Sequence, residues 1–155
     1  GEDFIITDNA RAGNDRVDGG AGDDFLTGDG FAVSGNARCG DDILIGGAGN
    51  DRIYGDLNLD ASDLTNVTRG ADRFVFARGS GLDTIFDFQG NFDVIDLRPY
   101  AGIGGFAQIG ANAAQAGTDV VIDLRAAAGG AAGIDVLTLA GFALADLDAG
   151  DFLFA

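Results

Sequence analysis

Large apolar residues recur at a spacing of nine through the first third of the chain: Val17 and Leu26, then Leu44 and Ile53, each set among glycines and acidic residues. That spacing matches neither the 3.6-residue period of a helix nor the long alternation of an ordinary strand. It belongs to a repeat architecture, in which every copy adds one apolar side chain to a shared core. Beyond Asp72 the pattern changes to strand-like alternation. Phe74 and Phe76 share a face, as do Thr84, Phe86 and Phe88. Further strands are predicted over 94–97, 120–124, 135–139 and 152–154, with turn signals at 79–81 and 89–91 and a low-complexity stretch at 126–133. No long helical period appears, and Ala-rich 110–117 is expected to hold at most a short helical turn.

Glycine and aspartate give the repeat its chemistry. Gly19-Gly20-Ala21-Gly22-Asp23-Asp24-Phe25-Leu26-Thr27 and Gly46-Gly47-Ala48-Gly49-Asn50-Asp51-Arg52-Ile53-Tyr54 share one pattern and start 27 residues apart. Copies counted from Ala10, Gly19, Gly28, Ala37, Gly46 and Gly55 place Asp15, Asp24, Val33, Asp42, Asp51 and Asp60 at the sixth position. Val17, Leu26, Gly35, Leu44, Ile53 and Ser62 take the eighth, and Gly13, Gly22, Gly40 and Gly49 the fourth. Glycine turns expose carbonyl oxygens, and the sixth residue adds a carboxylate. A hard cation such as Ca2+ takes six to eight such oxygens at about 2.3–2.6 Å. The candidate ligand set is therefore Asp15, Asp24, Asp42, Asp51 and Asp60, with the turns around Gly20, Gly22, Gly40, Gly47 and Gly49. Asp72, closing Gly70-Ala71-Asp72, reads as a late copy reached after a three-residue insertion. Residues 1–5 read as the tail of an earlier copy, three residues out of register.

If two nonapeptides make one coil, turns 18 residues apart stack. One edge then carries Asp24, Asp42 and Asp60, and the other Asp15, Val33 and Asp51, with a gap at Val33.

Composition narrows the function. The chain has 25 acidic and 9 basic residues, all nine arginine, for a net charge of -16. Such a chain repels nucleic acid and anionic membrane, and its self-repulsion opposes compaction until cations bind. The 46% hydrophobic content argues against disorder. Histidine is absent, so a serine triad lacks its usual base. Paired carboxylates are plentiful enough for a glycosidase, yet they stand at metal-ligand spacing. The single cysteine, Cys39, holds a variable third position and has no internal disulfide partner. It reads as a tolerated turn residue, with intermolecular pairing the alternative. No apolar run reaches the roughly 20 residues of a membrane span. The chain opens at Gly1 in mid-repeat, and we expect it to be a piece of a longer protein.

The nonapeptides resemble the calcium-binding repeats of RTX proteins. Gly70-Ala71-Asp72-Arg73-Phe74-Val75-Phe76, Ser80-Gly81-Leu82-Asp83-Thr84-Ile85-Phe86-Asp87-Phe88 and Asp93-Val94-Ile95-Asp96-Leu97 extend the likeness. They are similar to the C-terminal part of serralysin-type proteins and to the R-modules of mannuronan epimerases. The resemblance implies an all-β fold: a parallel β-roll over 1–72, capped by a β-rich, sandwich-like segment over 73–155. It implies Ca2+ as cofactor, a secreted, extracellular or cell-surface location, and export by type I secretion machinery with the signal at Asp151-Phe152-Leu153-Phe154-Ala155. Asp83, Asp87 and Asp93 are candidates for further calcium, or turn formers. Serralysins carry a zinc-protease motif containing histidine, so that activity cannot reside here, and any catalysis is expected in a missing N-terminal domain. The alternative function is calcium-dependent polysaccharide binding, adhesion or self-assembly. No nucleic-acid partner and no membrane insertion are expected.

Overall fold

The computed structural model describes residues 4–6, 13–29, 39–56 and 68–155. The glycine turns reverse the chain between strands of three to six residues, each long enough to bury one or two side chains. In chain order these are β1 (Phe4–Ile6), β2 (Arg16–Ala21), β3 (Phe25–Thr27), β4 (Ile43–Ala48), β5 (Arg52–Tyr54), β6 (Arg73–Val75), β7 (Leu82–Ile85) and β8 (Val94–Asp96). Successive strands go to opposite sheets. β1, β3, β5 and β7 lie side by side in one, and β2, β4, β6 and β8 in the other. Every neighbouring pair among these is parallel. This is the expected parallel β-roll.

Register explains the nine-residue apolar period. Val17, Leu44, Phe74, Ile95 and Phe152 stand opposite one another across one sheet. Leu26, Ile53, Ile85, Leu139 and Val120 do so across the other. None of these ten is more than 4% exposed. Each coil thus lays its apolar residue on the one before, gaining about 1.5–3 kcal/mol per buried side chain. In β1, Ile5 pairs with Leu26 by backbone register, 21 residues on.

The remaining elements are α1 (Phe106–Gly110), β9 (Ala113–Ala116), β10 (Asp119–Asp123), α2 (Leu124–Ala127), β11 (Val136–Leu139) and β12 (Phe152–Leu153). β9, β10 and β11 form an antiparallel meander. β11 joins it in parallel to β7, and β12 lies parallel to β8. Both sheets therefore run without a break across residue 72, and β6–β8 sit in the same stack as the nonapeptides. Past β8 the core widens, with Leu97, Tyr100, Ile103, Ile109, Ile122 and Leu137 fully buried.

Three local expectations fail. The stacking period from β2 to β4 and from β3 to β5 is 27 residues, not 18: Val17 pairs with Leu44 and Leu26 with Ile53. The 28–36 copy has neither a sixth-position aspartate nor an apolar eighth residue. Most of it, including Val33, lies outside the described residues. In β7 it is Asp83 and Ile85 that point inward, while Thr84 and Phe86 face outward, because the sixth-position aspartate sets the register. Phe88 turns inward only after the strand has ended. The Ala-rich segment is mostly strand β9, and the helical turn α1 ends at Gly110 where that segment begins. A second helical turn, α2, starts inside the stretch predicted as strand, because the Asp123 side chain accepts the Ala126 N–H at 2.7 Å and caps it.

Candidate metal centre

The turns stack into two edges, each carrying a column of carboxylates. On the first edge the Asp24 N–H donates to Asp51 Oδ1 at 2.9 Å, and the Asp51 N–H to Asp83 Oδ1 at 3.1 Å. On the second, the N–H of Asp15 donates to Asp42 Oδ1 at 2.7 Å, that of Asp42 to Asp72 Oδ1 at 2.8 Å, and that of Asp72 to Asp93 Oδ1 at 3.0 Å. Asp42, Asp51, Asp72, Asp83 and Asp93 therefore each tie their coil to the one before through a charge-assisted hydrogen bond.

The expected edge assignment is corrected by these bonds. Asp24 and Asp42 lie on opposite edges, and Asp15 and Asp42 share one, because one coil spans three nonapeptides rather than two. Asp60 falls outside the described residues. Asp72 sits where the late copy was expected, 30 residues after Asp42: one coil plus the three-residue insertion.

Only one oxygen of each carboxylate is used this way. Oδ2 of Asp15, Asp42, Asp51, Asp72 and Asp83 is buried with no hydrogen-bond partner. Leaving a buried carboxylate oxygen unmatched costs several kcal/mol, unless a cation takes it. The turns supply the rest of a hard-ion environment. Gly20, Gly22, Gly47 and Gly49 have φ of 90°, 125°, 105° and 150°, which L side chains rarely adopt. A methyl group at Gly47 or Gly49 would collide with the carbonyl oxygens of Gly20 or Gly22 one coil back. On the second edge, a methyl at Gly40 would meet the Gly13 carbonyl, and one at Gly55 the Asp72 carboxylate. Carbonyls and carboxylates are thus packed with no side chains between them, and the donor set fits calcium.

Electrostatics agree. Burial pushes the Asp42 and Asp83 carboxyls up to about 7, Asp93 to about 7 and Asp72 to about 9. The backbone N–H on each opposes this, and neighbouring aspartates reinforce it. Asp51 is raised for the same reasons. These are sites that hold negative charge badly until a cation arrives.

Sequence reasoning missed a second column on the second edge. Asp29 and Asp56, both buried, occupy the second repeat position, where the first edge has Gly20 and Gly47. The N–H groups of Gly55 and Asp56 donate to Asp87 at 2.9 and 3.0 Å, so Asp87 continues it. A signal was present: Gly-Asp recurs at 28–29 and 55–56, 27 residues apart.

With the geometry in view, the comparisons are consistent. The family model for the RTX calcium-binding nonapeptide repeat matches residues 9–32 and 40–60, in four copies. The R2 subunit of the Azotobacter vinelandii mannuronan C5-epimerase has a similar structure. Identity is 24%, TM-score 0.54, and the match covers 89% of this chain and 91% of that one. The R3 subunit matches at 27% identity and TM-score 0.51, over 95% and 81%. The extracellular lipase LipA of Serratia marcescens matches at 23% identity and TM-score 0.51; the match covers 88% of this chain but 20% of the lipase. No curated protein sequence matches the chain significantly. The chain carries RTX calcium-binding nonapeptide repeats in the fold of a β-roll module, and calcium is the cofactor of those repeats. No described helix is long and apolar enough to cross a membrane.

Position in a column sets how much each carboxylate matters. Asp42 is bracketed by Asp15 and Asp72, whereas among the described residues Asp15 has a bonded neighbour on one side. Asp42→Ala should therefore weaken calcium binding more than Asp15→Ala, by about tenfold or more if one charge-assisted contact is lost (~1.5–3 kcal/mol). Calcium titrations of the two variants by calorimetry check this, and equal affinities would contradict it.

Proposed function

We propose that this module folds when calcium fills the two edges outside the cell, after export of an unfolded chain by a type I secretion system. The observation that carries the reading is the set of buried Oδ2 atoms, on both edges, that have no hydrogen-bond partner. A chain of net charge -16 with such an interior has a strong reason to stay unfolded where calcium is scarce. Sites of about 10⁻⁴–10⁻³ M affinity, typical of extracellular modules, fill outside, and binding free energy becomes folding free energy. On this reading catalysis belongs to a separate domain of the whole protein, and the C-terminal strand doubles as export signal and core element.

That dual role complicates the obvious test. Asp151 is only 1% exposed, takes the N–H of Asp148 at 2.9 Å and closes a capping box. Asp151→Ala would therefore disturb folding as well as any signal. Export is better tested on the unaltered chain in a host with and without a type I exporter. The chain should reach the medium only with the exporter; equal secretion in both hosts would contradict the reading.

One observation favours the polysaccharide alternative. Phe25, Tyr54 and Phe86 stack in a row on the outer face of β3, β5 and β7, with centroids 5.5 and 4.8 Å apart, and Arg52 lies 5.0 Å over Phe86. Such a half-exposed row suits the apolar face of a sugar, and the chain's negative charge favours a neutral glycan over a polyanion. Titration with neutral oligosaccharides, read by Tyr54 fluorescence, decides it: no change at saturating calcium removes this reading.

A further inference from the structure

The last turn of the first edge is unlike the two before it. Residues 79–83 take the place that residues 20–24 and 47–51 hold in the earlier coils, with Gly79 and Gly81 at φ of 86° and 100°. The earlier turns carry the exposed Ala21 and Ala48 after their first glycine; this one carries Ser80, which is buried. Lying on it is Asp135, the residue before β11. We propose that Ser80, Asp83 and Asp135 hold a calcium ion that closes the first edge and fastens the C-terminal meander to the roll.

Backbone brings Asp135 onto that turn. The Val136 N–H donates to the Gly81 carbonyl at 2.8 Å, and β11 runs beside β7 with Val136 opposite Leu82. The Gly79 N–H donates to Asp135 Oδ2 at 3.1 Å, and the Tyr100 hydroxyl to the same oxygen at 2.5 Å. Asp135 Oδ2 is thereby satisfied. Oδ1, on the same carbon, is not.

Three buried oxygens of this turn and its neighbour lack a hydrogen-bond partner among the described residues: Ser80 Oγ, Asp83 Oδ2 and Asp135 Oδ1. Their residues are 3%, 1% and 0% exposed. Arg125 Nη1 stands 4.0 Å from Asp135 Oδ2, too far for a hydrogen bond and beside the oxygen already used. Burial raises the Asp83 carboxyl most. The Ser80 hydroxyl opposes that rise, though without the geometry of a formed bond, and the Asp135 charge adds to it, so both groups act on Asp83 at short range. Leaving such atoms unmatched is destabilising, and a bound cation removes the penalty.

The donor set selects the ion. Two carboxylates and a hydroxyl are hard oxygen donors, which suit calcium and not a softer metal. The site is not another copy of the repeat. Within the column, Asp24 and Asp51 are each followed by a sixth-position aspartate one coil on. Past Asp83 the residue in register is Leu137, which has no ligand to give. Asp135 supplies the missing carboxylate from two residues earlier.

The test uses the full chain and calcium alone. Asp135→Asn keeps an oxygen for the Gly79 N–H and the Tyr100 hydroxyl but removes the charge. Equilibrium dialysis at saturating calcium should find one ion fewer per chain than in the unaltered protein, with the β circular dichroism retained. Ser80→Ala gives a second reading that holds even if Asp135→Asn fails to fold. Deleting an unmatched buried hydroxyl is neutral or stabilising where nothing binds it, whereas deleting a calcium ligand is not. Ser80→Ala should therefore weaken one calcium site and lower the melting temperature in calcium. The proposal is overturned if folded Asp135→Asn binds as many ions as the unaltered chain, or if Ser80→Ala melts no lower in calcium than the unaltered chain.

Discussion

Stripping calcium from the chain should remove most of its β structure. In EDTA at neutral pH, circular dichroism should show a largely unfolded chain, and millimolar calcium should restore a β spectrum with a cooperative melt. The reason lies in the columns. Folding without cations places Asp42, Asp51, Asp72 and Asp83 in the interior, each with a buried oxygen that nothing satisfies. Burial and neighbouring aspartates raise several of these carboxyls to between about 7 and about 9. The sign of the pH effect follows. A carboxyl with a raised folded-state pKa binds its proton more tightly in the folded than in the unfolded chain. Its contribution is present below its ordinary value of about 4 and is lost as pH climbs through the folded value. In EDTA, residual structure should therefore grow on acidification from pH 8 toward pH 5. In calcium the order reverses, because protons and calcium compete for the same oxygens. Magnesium should substitute poorly, since it demands near-octahedral geometry at shorter distances. An unchanged spectrum and melting temperature in EDTA at pH 8 would contradict this account.

Truncation after Asp72 should abolish folding even in saturating calcium. The cut removes β6 and β7, the ladder partners of β4 and β5. It exposes Leu44 and Ile53, which are fully buried under Phe74 and Ile85 in the intact stack. It also takes Asp83 from the backbone of Asp51 and Asp93 from that of Asp72. An open roll end is an unpaired strand edge as well as an apolar one. The nonapeptide coils bury little more than one line of aliphatic residues, so they cannot offset the ordering of about 60 residues at roughly 1–2 kcal/mol each in backbone entropy. A fragment of residues 1–72 that melts cooperatively in calcium would show the coils to be self-sufficient.

What the sequence made legible was the content of a coil, not the number of residues in one. The nine-residue apolar period identified Val17, Leu26, Leu44 and Ile53 as core, and all four are buried. The three-residue offset at Asp72 was also readable: Phe74 pairs with Leu44, one 27-residue coil plus three residues back. The edges were not readable from counting alone. Pairing is decided by which copies carry both a ligand and an apolar residue. The 28–36 copy has Val33 and Gly35 at its sixth and eighth positions, and the copy from Gly55 has Ser62 at its eighth. The two copies that fit the pattern fully start 27 residues apart, one coil, so the true period was present but was divided into the wrong number of turns. In the C-terminal half alternation located the strands, while α2 was hidden because its four residues owe their shape to one capping bond from Asp123.

The central claim is that the unmatched oxygens between coils are calcium ligands. An anomalous-difference map from crystals grown in calcium tests it most directly. The account predicts peaks on both edges, beside Oδ2 of Asp51 and Asp83 on one and of Asp42 and Asp72 on the other. Peaks confined to surface carboxylates, with the space beside those four atoms empty, would contradict it.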